Sequence, residues 1–394
     1  MRSGEAAATV AIEKKARQSS IDRVNELRVK RWPKTKKSAE SLKIADLFCG
    51  CGGLTLGAFQ ASHQLSKRLE VALALDAAQD AINVFAQNFS RFGRSSIVAG
   101  DITDYLVIGP ALSLNEKGTA LAEKVGKIDV LLAGPPCQGN SDLNNRSRRS
   151  DPRNDLYMVP AAFAEAMSPD LVLIENVPAV VHGDANVVSR TISLLSQLGY
   201  ACEEFRADLT AFGLPQTRRR HVLIASRRHT GVQLKRAVLQ LPSTSHTVQL
   251  KEFISDIEVE KRCSETPFYS ASRPSEENKK RIDYLFENDL LDLPDHMRPP
   301  CHREKKHSYV SMYGRLSNVL PSQTITSGFG SMGQGRFVHP TQRRTITPHE
   351  AARIQGFPDY FSFSRATSVT GLRQMIGNAV APALASTLIA TLMS

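Results

Sequence analysis

Between Lys43 and Ser226 the chain repeats one pattern: a short apolar run, a turn of glycine or polar residues, then a stretch with helical spacing. The runs are Lys43 to Phe48, Leu69 to Leu75, Ser96 to Ala99, Ile128 to Ala133, Leu171 to Ile174, Ala201 to Ala207 and His221 to Ser226. Short apolar runs alternating with helical stretches predict the strands of an α/β sheet with crossover helices. In such a sheet, ligands gather beyond the carboxyl ends of the strands. The residues at those ends therefore carry the functional reading.

The first run leads into Gly50, Gly52 and Gly53, followed by helical spacing from Leu54 to Gln64. A glycine turn ahead of a helix lets a ligand lie against the backbone at the helix N-terminus, and nucleotide, flavin and adenosylmethionine binders share that device. The second run ends in Asp76, a carboxylate able to accept both hydroxyls of a ribose or to cap the helix predicted from Ala77 to Asn88. The third leads to Asp101 and Ile102, an acceptor for an adenine amino group beside an apolar cover. The fourth runs into Gly134-Pro135-Pro136-Cys137-Gln138-Gly139-Asn140-Ser141. Two prolines fix the backbone before Cys137, and glycines on either side permit close packing and a sharp exit. A nucleophile needs such a rigid turn, although a buried structural cysteine fits the same local pattern. The fifth ends in Glu175-Asn176-Val177-Pro178, which offers either a solvated strand terminus or a catalytic acid.

Charge points to the partner. Fifty lysines and arginines against 39 acidic residues leave a formal charge of +11, which suits a polyanion. Arginines gather at Arg146, Arg148, Arg149 and Arg153, at Arg218 to Arg220, and at Arg343 and Arg344. The first group lies in a polar loop, Asn140 to Asp155, whose length beside a nucleophile predicts a lid or a binding loop. Six scattered cysteines predict free thiols in a reducing compartment. No apolar run approaching the ~20 residues of a membrane span and no secretory h-region are read, so the expected location is the cytoplasm.

Three parts are expected: a basic arm over 1–40 with a helix around Ile21 to Lys30, a catalytic and cofactor-binding domain over 41–242 completed by 366–394, and a smaller irregular domain over 243–365. In the last, Tyr309 to Met312 and Thr324 to Thr326 are strand candidates. A zinc site from Cys263, Cys301, His302 and His307 has no Cys-x-x-Cys pair behind it. Thr347, Pro348 and Glu350 spell a capped helix start, and Gln374 to Ala379 opens a final apolar helix through Met393.

Taken in order, Gly-Pro-Pro-Cys-Gln-Gly, Glu-Asn-Val, Gln-x-Arg-x-Arg and Ala-Arg-Ile-Gln-Gly-Phe-Pro resemble the motifs of the DNA (cytosine-5) methyltransferases over most of residues 43 to 394. The resemblance implies an adenosylmethionine-dependent, Rossmann-like mixed sheet with a smaller target-recognition domain. It implies S-adenosyl-L-methionine held by Asp46, Phe48, Gly50, Gly52, Gly53 and Leu54, with Phe48 on the adenine. Asp76 would take the ribose, Asp101 and Ile102 the adenine edge, and Pro135, Asn378, Ala379 and Val380 would line the same pocket, which Gln374 to Val380 closes. Cys137 would be the nucleophile toward carbon 6 of a flipped-out cytosine, Glu175 would hold that base, and Arg218 and Arg220 would sit near the base and its phosphates. Ser141, Arg146, Arg148, Arg149, Arg153, Arg315 and Arg336 are the DNA-binding candidates. Double-stranded DNA is the implied partner, a restriction endonuclease a possible companion, and a monomer the default state. Three residues depart from the family's pattern: Asn140 where an aromatic or His is common, Asp76 where Glu is usual, and Ala77 where a Trp often covers the cofactor. A tRNA cytosine-5 methyltransferase, a catalytically silent DNA-binding relative and a nucleotide-dependent oxidoreductase are the competing readings. The third lacks a spaced Gly-x-Gly-x-x-G.

Overall fold

The computed structural model describes residues 22–34, 38–93, 97–107, 112–136, 152–183, 186–242, 248–257, 267–303 and 311–394, with the side chains of 152–154 excepted. The chain divides into two units, one made of Pro33–Asp208, Arg219–Ser243 and Val380–Ser394, the other of Met1–Trp32, Leu209–Arg218 and Thr244–Ala379.

The first unit holds a seven-stranded sheet: β1 (Ser41–Leu47), β2 (Arg68–Asp76), β3 (Ile97–Ala99), β4 (Val130–Ala133), β5 (Leu171–Asn176), β6 (Ala201–Asp208) and β7 (Arg219–Ser226). Their order across the sheet is β3-β2-β1-β4-β5-β7-β6. The first five run parallel, while β7 is antiparallel to both β5 and β6. Every residue of β4 and β5 is buried, which is why Val130–Ala133 and residues 171–174 are apolar without alternation, while Glu175 and Asn176 at the end of β5 are buried polar residues. Leu47 pairs with Leu75 and Ala133, Leu75 with Val98, and Ala133 with Ile174. One row of residues thus brings the five parallel strands to a common carboxyl edge. Helices α1 (Gly53–Gln64), α2 (Gln79–Phe89), α3 (Glu116–Val125), α4 (Val159–Met167), α5 (Val187–Gln197) and α6 (Gly231–Leu239) alternate with the strands.

The C-terminal helix Pro382–Met393 packs along α1. A Cβ on Gly53 would lie 2.2 Å from the Val380 carbonyl oxygen, and one on Gly57 would lie 2.4 Å from the Pro382 carbonyl oxygen. Both obstacles are backbone, so neither can swing aside, and only glycine fits.

A single final helix from Gln374 to Met393 is not what forms. Helix α9 (Val369–Asn378) stops, Ala381 is extended, and Pro382 starts a new helix. Proline lacks an N–H and disfavours helical geometry in the residue before it, so the break is local in origin. By length and composition alone Val369–Met393 is apolar enough to cross a bilayer, but 72% of its most apolar stretch is buried in the protein. It is core.

In the second unit α7 (Glu276–Glu287) packs Ile282 and Leu285 with Leu293, Met332 and Val338. Helix α8 (Pro348–Ile354) starts with the expected box: the Glu350 amide donates to Thr347 Oγ1 at 3.1 Å and the Thr347 amide to Glu350 Oε2 at 2.7 Å. Burial would raise the Glu350 carboxyl, but bonds from Arg344 and His339 outweigh it and hold the group at about 2. Residues 22–27 are helical, as expected for the arm, with Val24 and Leu27 buried. They are tied down: Arg28 pairs with Asp256 at 3.1 Å, and the Leu27 carbonyl accepts from the Asp359 amide at 2.8 Å.

The strand candidates of this unit do not form. Residues 311–312 are a turn, residues 309–310 lie outside the described set, and 324–326 is irregular. Side chains have taken the hydrogen bonds that a ladder would need. Gln216 Oε1 accepts from the Ile325 amide at 3.0 Å, and Arg218 donates to the Ile325 carbonyl at 2.8 Å.

Candidate active site

The loop from β1 to α1 is bent by a non-glycine residue in left-handed geometry, Phe48 with φ 57°. Such a conformation is costly for a bulky side chain and persists where the surroundings enforce it. They do so here. The Cys49 amide donates to the Leu75 carbonyl at 3.1 Å, and the Gly50 amide to Asp76 Oδ2 at 2.9 Å. Asp76 Oδ1 accepts from the Ala78 amide at 2.8 Å, so one carboxylate at the tip of β2 fixes both neighbouring turns. Each oxygen retains a lone pair for a ligand hydroxyl. Gly52 is the N-cap of α1 and offers no side-chain acceptor, which leaves the Gly53 and Leu54 amides available to an anion, while the Thr55 amide donates to Asp46.

Asp46 is fully buried in β1. Its Oδ2 accepts from the Thr55 hydroxyl at 2.6 Å, while Oδ1 has no hydrogen-bond partner among the described residues. Burial pushes the carboxyl up to about 7, with the Asp76 charge adding to it and the Thr55 bonds opposing it. Burial likewise pushes Cys51 up to about 12 and raises Cys49, so these two thiols are protonated at neutral pH.

A pH dependence follows. Between the ordinary carboxyl value of 3.8 and about 7 the folded state holds the Asp46 proton and the unfolded state does not. Stability from this group is therefore fully present below that window and lost as pH rises through it. Asp46→Asn is expected to flatten this decline, seen as a difference between the two melting-temperature profiles of the ligand-free proteins from pH 4 to pH 8. Parallel profiles would refute the assignment.

Asp101 caps the turn after β3, accepting at Oδ1 from the Thr103 amide at 2.9 Å and the Thr103 hydroxyl at 2.8 Å. Ile102 is buried in the hydrophobic cluster of the sheet. After β4 the Gly134 amide donates to the Leu47 carbonyl at 3.3 Å, and Asn176 Nδ2 donates to the Pro135 carbonyl at 3.2 Å. The end of β5 thus holds the approach to Cys137. Cys137 itself, with Ser141, Arg146, Arg148 and Arg149, lies outside the described residues, as does the Arg153 side chain.

Glu175 is 7% exposed, not a solvated terminus. It stands opposite Val222, and Arg220, two residues before Val222 in β7, projects from the same face. Arg220 Nε reaches within 2.8 Å of Glu175 Oε1. The N–H is not aligned with that line, so the contact is an ion pair, and Oε1 keeps no hydrogen-bond donor among the described residues. On the opposite face of β7, buried His221 lies 3.3 Å from the Tyr157 hydroxyl and 2.9 Å from Glu204 Oε2.

A sequence model of the C-5 cytosine-specific DNA methylases matches residues 42–394. The chain is 44% identical over 355 residues to the type II methyltransferase M1.BsuMI of Bacillus subtilis, a match covering 90% of this chain and 81% of that one. The chain belongs to the C-5 cytosine-specific DNA methylase family. The type II methylase M.HgiDII of Herpetosiphon aurantiacus is 28% identical over 86% of this chain and 92% of its own. Among solved structures, an E. coli prophage protein assigned as a DNA modification methyltransferase superposes with a TM-score of 0.58 at 26% identity, covering 90% of this chain and 99% of that one. The S. pombe Dnmt2 methyltransferase gives a TM-score of 0.59 at 14% identity, covering 89% and 98%, a likeness of fold.

In this methylase several candidate residues are engaged elsewhere. Arg218 is 3% exposed and donates to the carbonyls of Ile325 at 2.8 Å, Gly377 at 3.1 Å and Ala379 at 3.3 Å. It ties backbone segments of the second unit together. Arg315 is paired with Asp289 and lies over the Phe286 ring, while Arg336 Nη2 donates to both oxygens of Asp292 at 2.7 and 2.6 Å. Val380 packs against Gly53 and Gly134 in the sheet unit. Asn378 is exposed and belongs to the other unit with Ala379. Among the described residues no three His, Cys, Asp or Glu gather as a metal site, and Cys263 and His307 lie outside that set. Sequence reasoning gave no role to Thr55, Asn176, Tyr157 or His221. Of these only Asn176 carried a signal, as the middle of Glu-Asn-Val.

Proposed function

We propose that this methylase modifies carbon 5 of cytosine within a short site in duplex DNA, with its chemistry at the carboxyl edge of β1 to β5. The observation that carries the reading is Glu175: a buried carboxylate paired with Arg220, yet with an oxygen open to a donor, on the strand whose next residue holds the Cys137 turn.

The residues fit S-adenosyl-L-methionine. The open amides of α1 suit its carboxylate, the unpartnered Asp46 Oδ1 suits a donor such as its ammonium group, Asp76 suits the ribose, and Phe48 and Asp101 suit the adenine. When bound, the cofactor supplies an electrophilic methyl group on a sulfonium. The chain supplies the rest. Carbon 5 of cytosine is a poor nucleophile because the ring withdraws electrons from it. The Cys137 thiolate adds to carbon 6, and charge develops toward N3. Glu175, by holding a proton or sharing one at that edge, neutralises the charge as it forms, and Arg220 fixes the carboxylate. After transfer a base acting through water takes the carbon 5 proton, the electron pair of that bond restores the carbon 5–carbon 6 double bond, and Cys137 leaves as the thiolate. A base inside a duplex is out of reach, so the cytosine is flipped out at a cost of a few kcal/mol, offset by contacts in the pocket. The arginines of residues 140–155 suit phosphate binding, and the second unit suits target recognition. The type II relatives favour a companion endonuclease, and one active site per target favours a monomer.

The test is methyl transfer from labelled adenosylmethionine to plasmid DNA and to tRNA, followed by bisulfite sequencing. Methylcytosine at one recurring DNA sequence is the expected result. Label in tRNA with none in DNA would replace the substrate, and no label in either would leave a silent binding module.

A further inference from the structure

Five arginines of the second unit are paired with carboxylates: Arg315 with Asp289, Arg336 with Asp292, Arg343 with Asp283, Arg344 with Glu350 and Arg353 with Asp359. Arg373, on α9, departs from this. Its Nη2 donates to the Ser272 hydroxyl at 2.6 Å, but Nε is buried without an acceptor, and no carboxylate among the described residues pairs with it. Burial alone lowers its pKa, with no neighbouring charge contributing.

The guanidinium is also seated. A Cβ on Gly330 would lie 2.4 Å from Arg373 Cζ, so the loop approaches the cation through a residue with no side chain. On the same helix Gly377 approaches the backbone of Thr326 and Ser327, holding α9 against this loop. Next to Ser272, exposed Arg273 has no carboxylate partner among the described residues either.

We propose that Arg373, held by Ser272 against Gly330, binds a backbone phosphate of the DNA substrate, with Arg273 as a second cation beside it. A partly buried cation without a counter-ion is unfavourable, and an arriving phosphate relieves that cost. The guanidinium, with Nη1 unfilled and its plane fixed by the Ser272 bond, presents a directed donor to a phosphate oxygen, which an ammonium would not. Arginines already paired with carboxylates gain less from a phosphate, because the existing partner must be displaced. The proposal rests on DNA as the substrate.

The experiment compares the full-length wild type with Arg373→Gln, Arg373→Lys and Gly330→Ala. It measures affinity for a plasmid-derived duplex across a salt series, adenosylmethionine affinity by calorimetry, and melting temperature. In Arg373→Gln, DNA affinity is expected to fall roughly tenfold, and the slope of log K against log salt to shrink by about 0.9, the share of one phosphate. Arg373→Lys keeps the slope. Gly330→Ala displaces the head of a flexible side chain, so it should weaken DNA binding with little change in melting temperature. Cofactor affinity stays unchanged throughout. An unchanged slope in Arg373→Gln, or a loss of cofactor affinity in place of DNA affinity, overturns the phosphate site. Wild type that methylates DNA with an unchanged variant slope overturns this proposal alone, whereas methylation of tRNA only overturns it together with the reading it rests on.

Discussion

Glu175→Gln is expected to lower the rate of methyl transfer in a single turnover by about 10²- to 10⁴-fold, the range over which a positioned acid or base acts. The substitution keeps the shape of the side chain and removes the oxygen that can hold or share a proton. Cofactor affinity should hold, because Glu175 lies at the end of β5 and has no bond to the loop around Asp76. A second effect separates this from general damage. Glutamine leaves the partly buried Arg220 without its carboxylate, and an uncompensated charge destabilises. The melting temperature of Glu175→Gln should therefore fall, and adding Arg220→Met should restore it without restoring transfer. If the double variant regained activity, Glu175 would be a structural partner of Arg220 and not a participant in chemistry.

Cys137→Ser should abolish turnover, by at least about 10³-fold, while the protein still binds adenosylmethionine. A serine hydroxyl is not ionised near neutral pH, and the chain leading up to it is held by other residues, Asn176 on the Pro135 carbonyl and Gly134 on β1. Wild type incubated with adenosylmethionine and duplex DNA containing 5-fluorocytosine should trap a covalent complex, because after methyl transfer the fluorine at carbon 5 cannot leave as a proton does. The serine variant should give none. Full activity in Cys137→Ser would exclude the covalent route.

The sheet was legible in the sequence for a physical reason. Strands covered on both faces are apolar along most of their length, as β4 is and as β5 is up to Ile174, so the glycine after β4 and the carboxylates that end β2 and β5 stand out against them. The place of β7 between β5 and β6 was not legible, since pairing between distant strands leaves no local mark. The second unit was read less well. There Gln216 and Arg218 satisfy the backbone at Ile325, so the β-branched triplet Thr324-Ile325-Thr326, which looks like a strand, is held as a loop. Arginine count was a guide to charge but not to its use. Arg315 and Arg336 look as free in the sequence as Arg373 does, yet Asp289 and Asp292 occupy them. Those partners are close in space and not in the chain. The N-terminal helix shows the same limit: Val24 and Leu27 are two apolar residues among charges, and nothing nearby announces the segment that buries them.

The close fit of Gly53 and Gly57 to the backbone at Val380 and Pro382 bears on when the enzyme comes into being during synthesis. The helix that begins at the glycine loop leaves the ribosome early, but the surface it packs on is translated far later. Until then α1 has only the sheet on one side, and its apolar flank is open to water. A message cut short before Val380 would yield a chain that keeps Cys137 and Glu175 but lacks the backbone against which Gly53 and Gly57 of α1 fit. Chains interrupted in that last stretch should be found among aggregated or degraded protein.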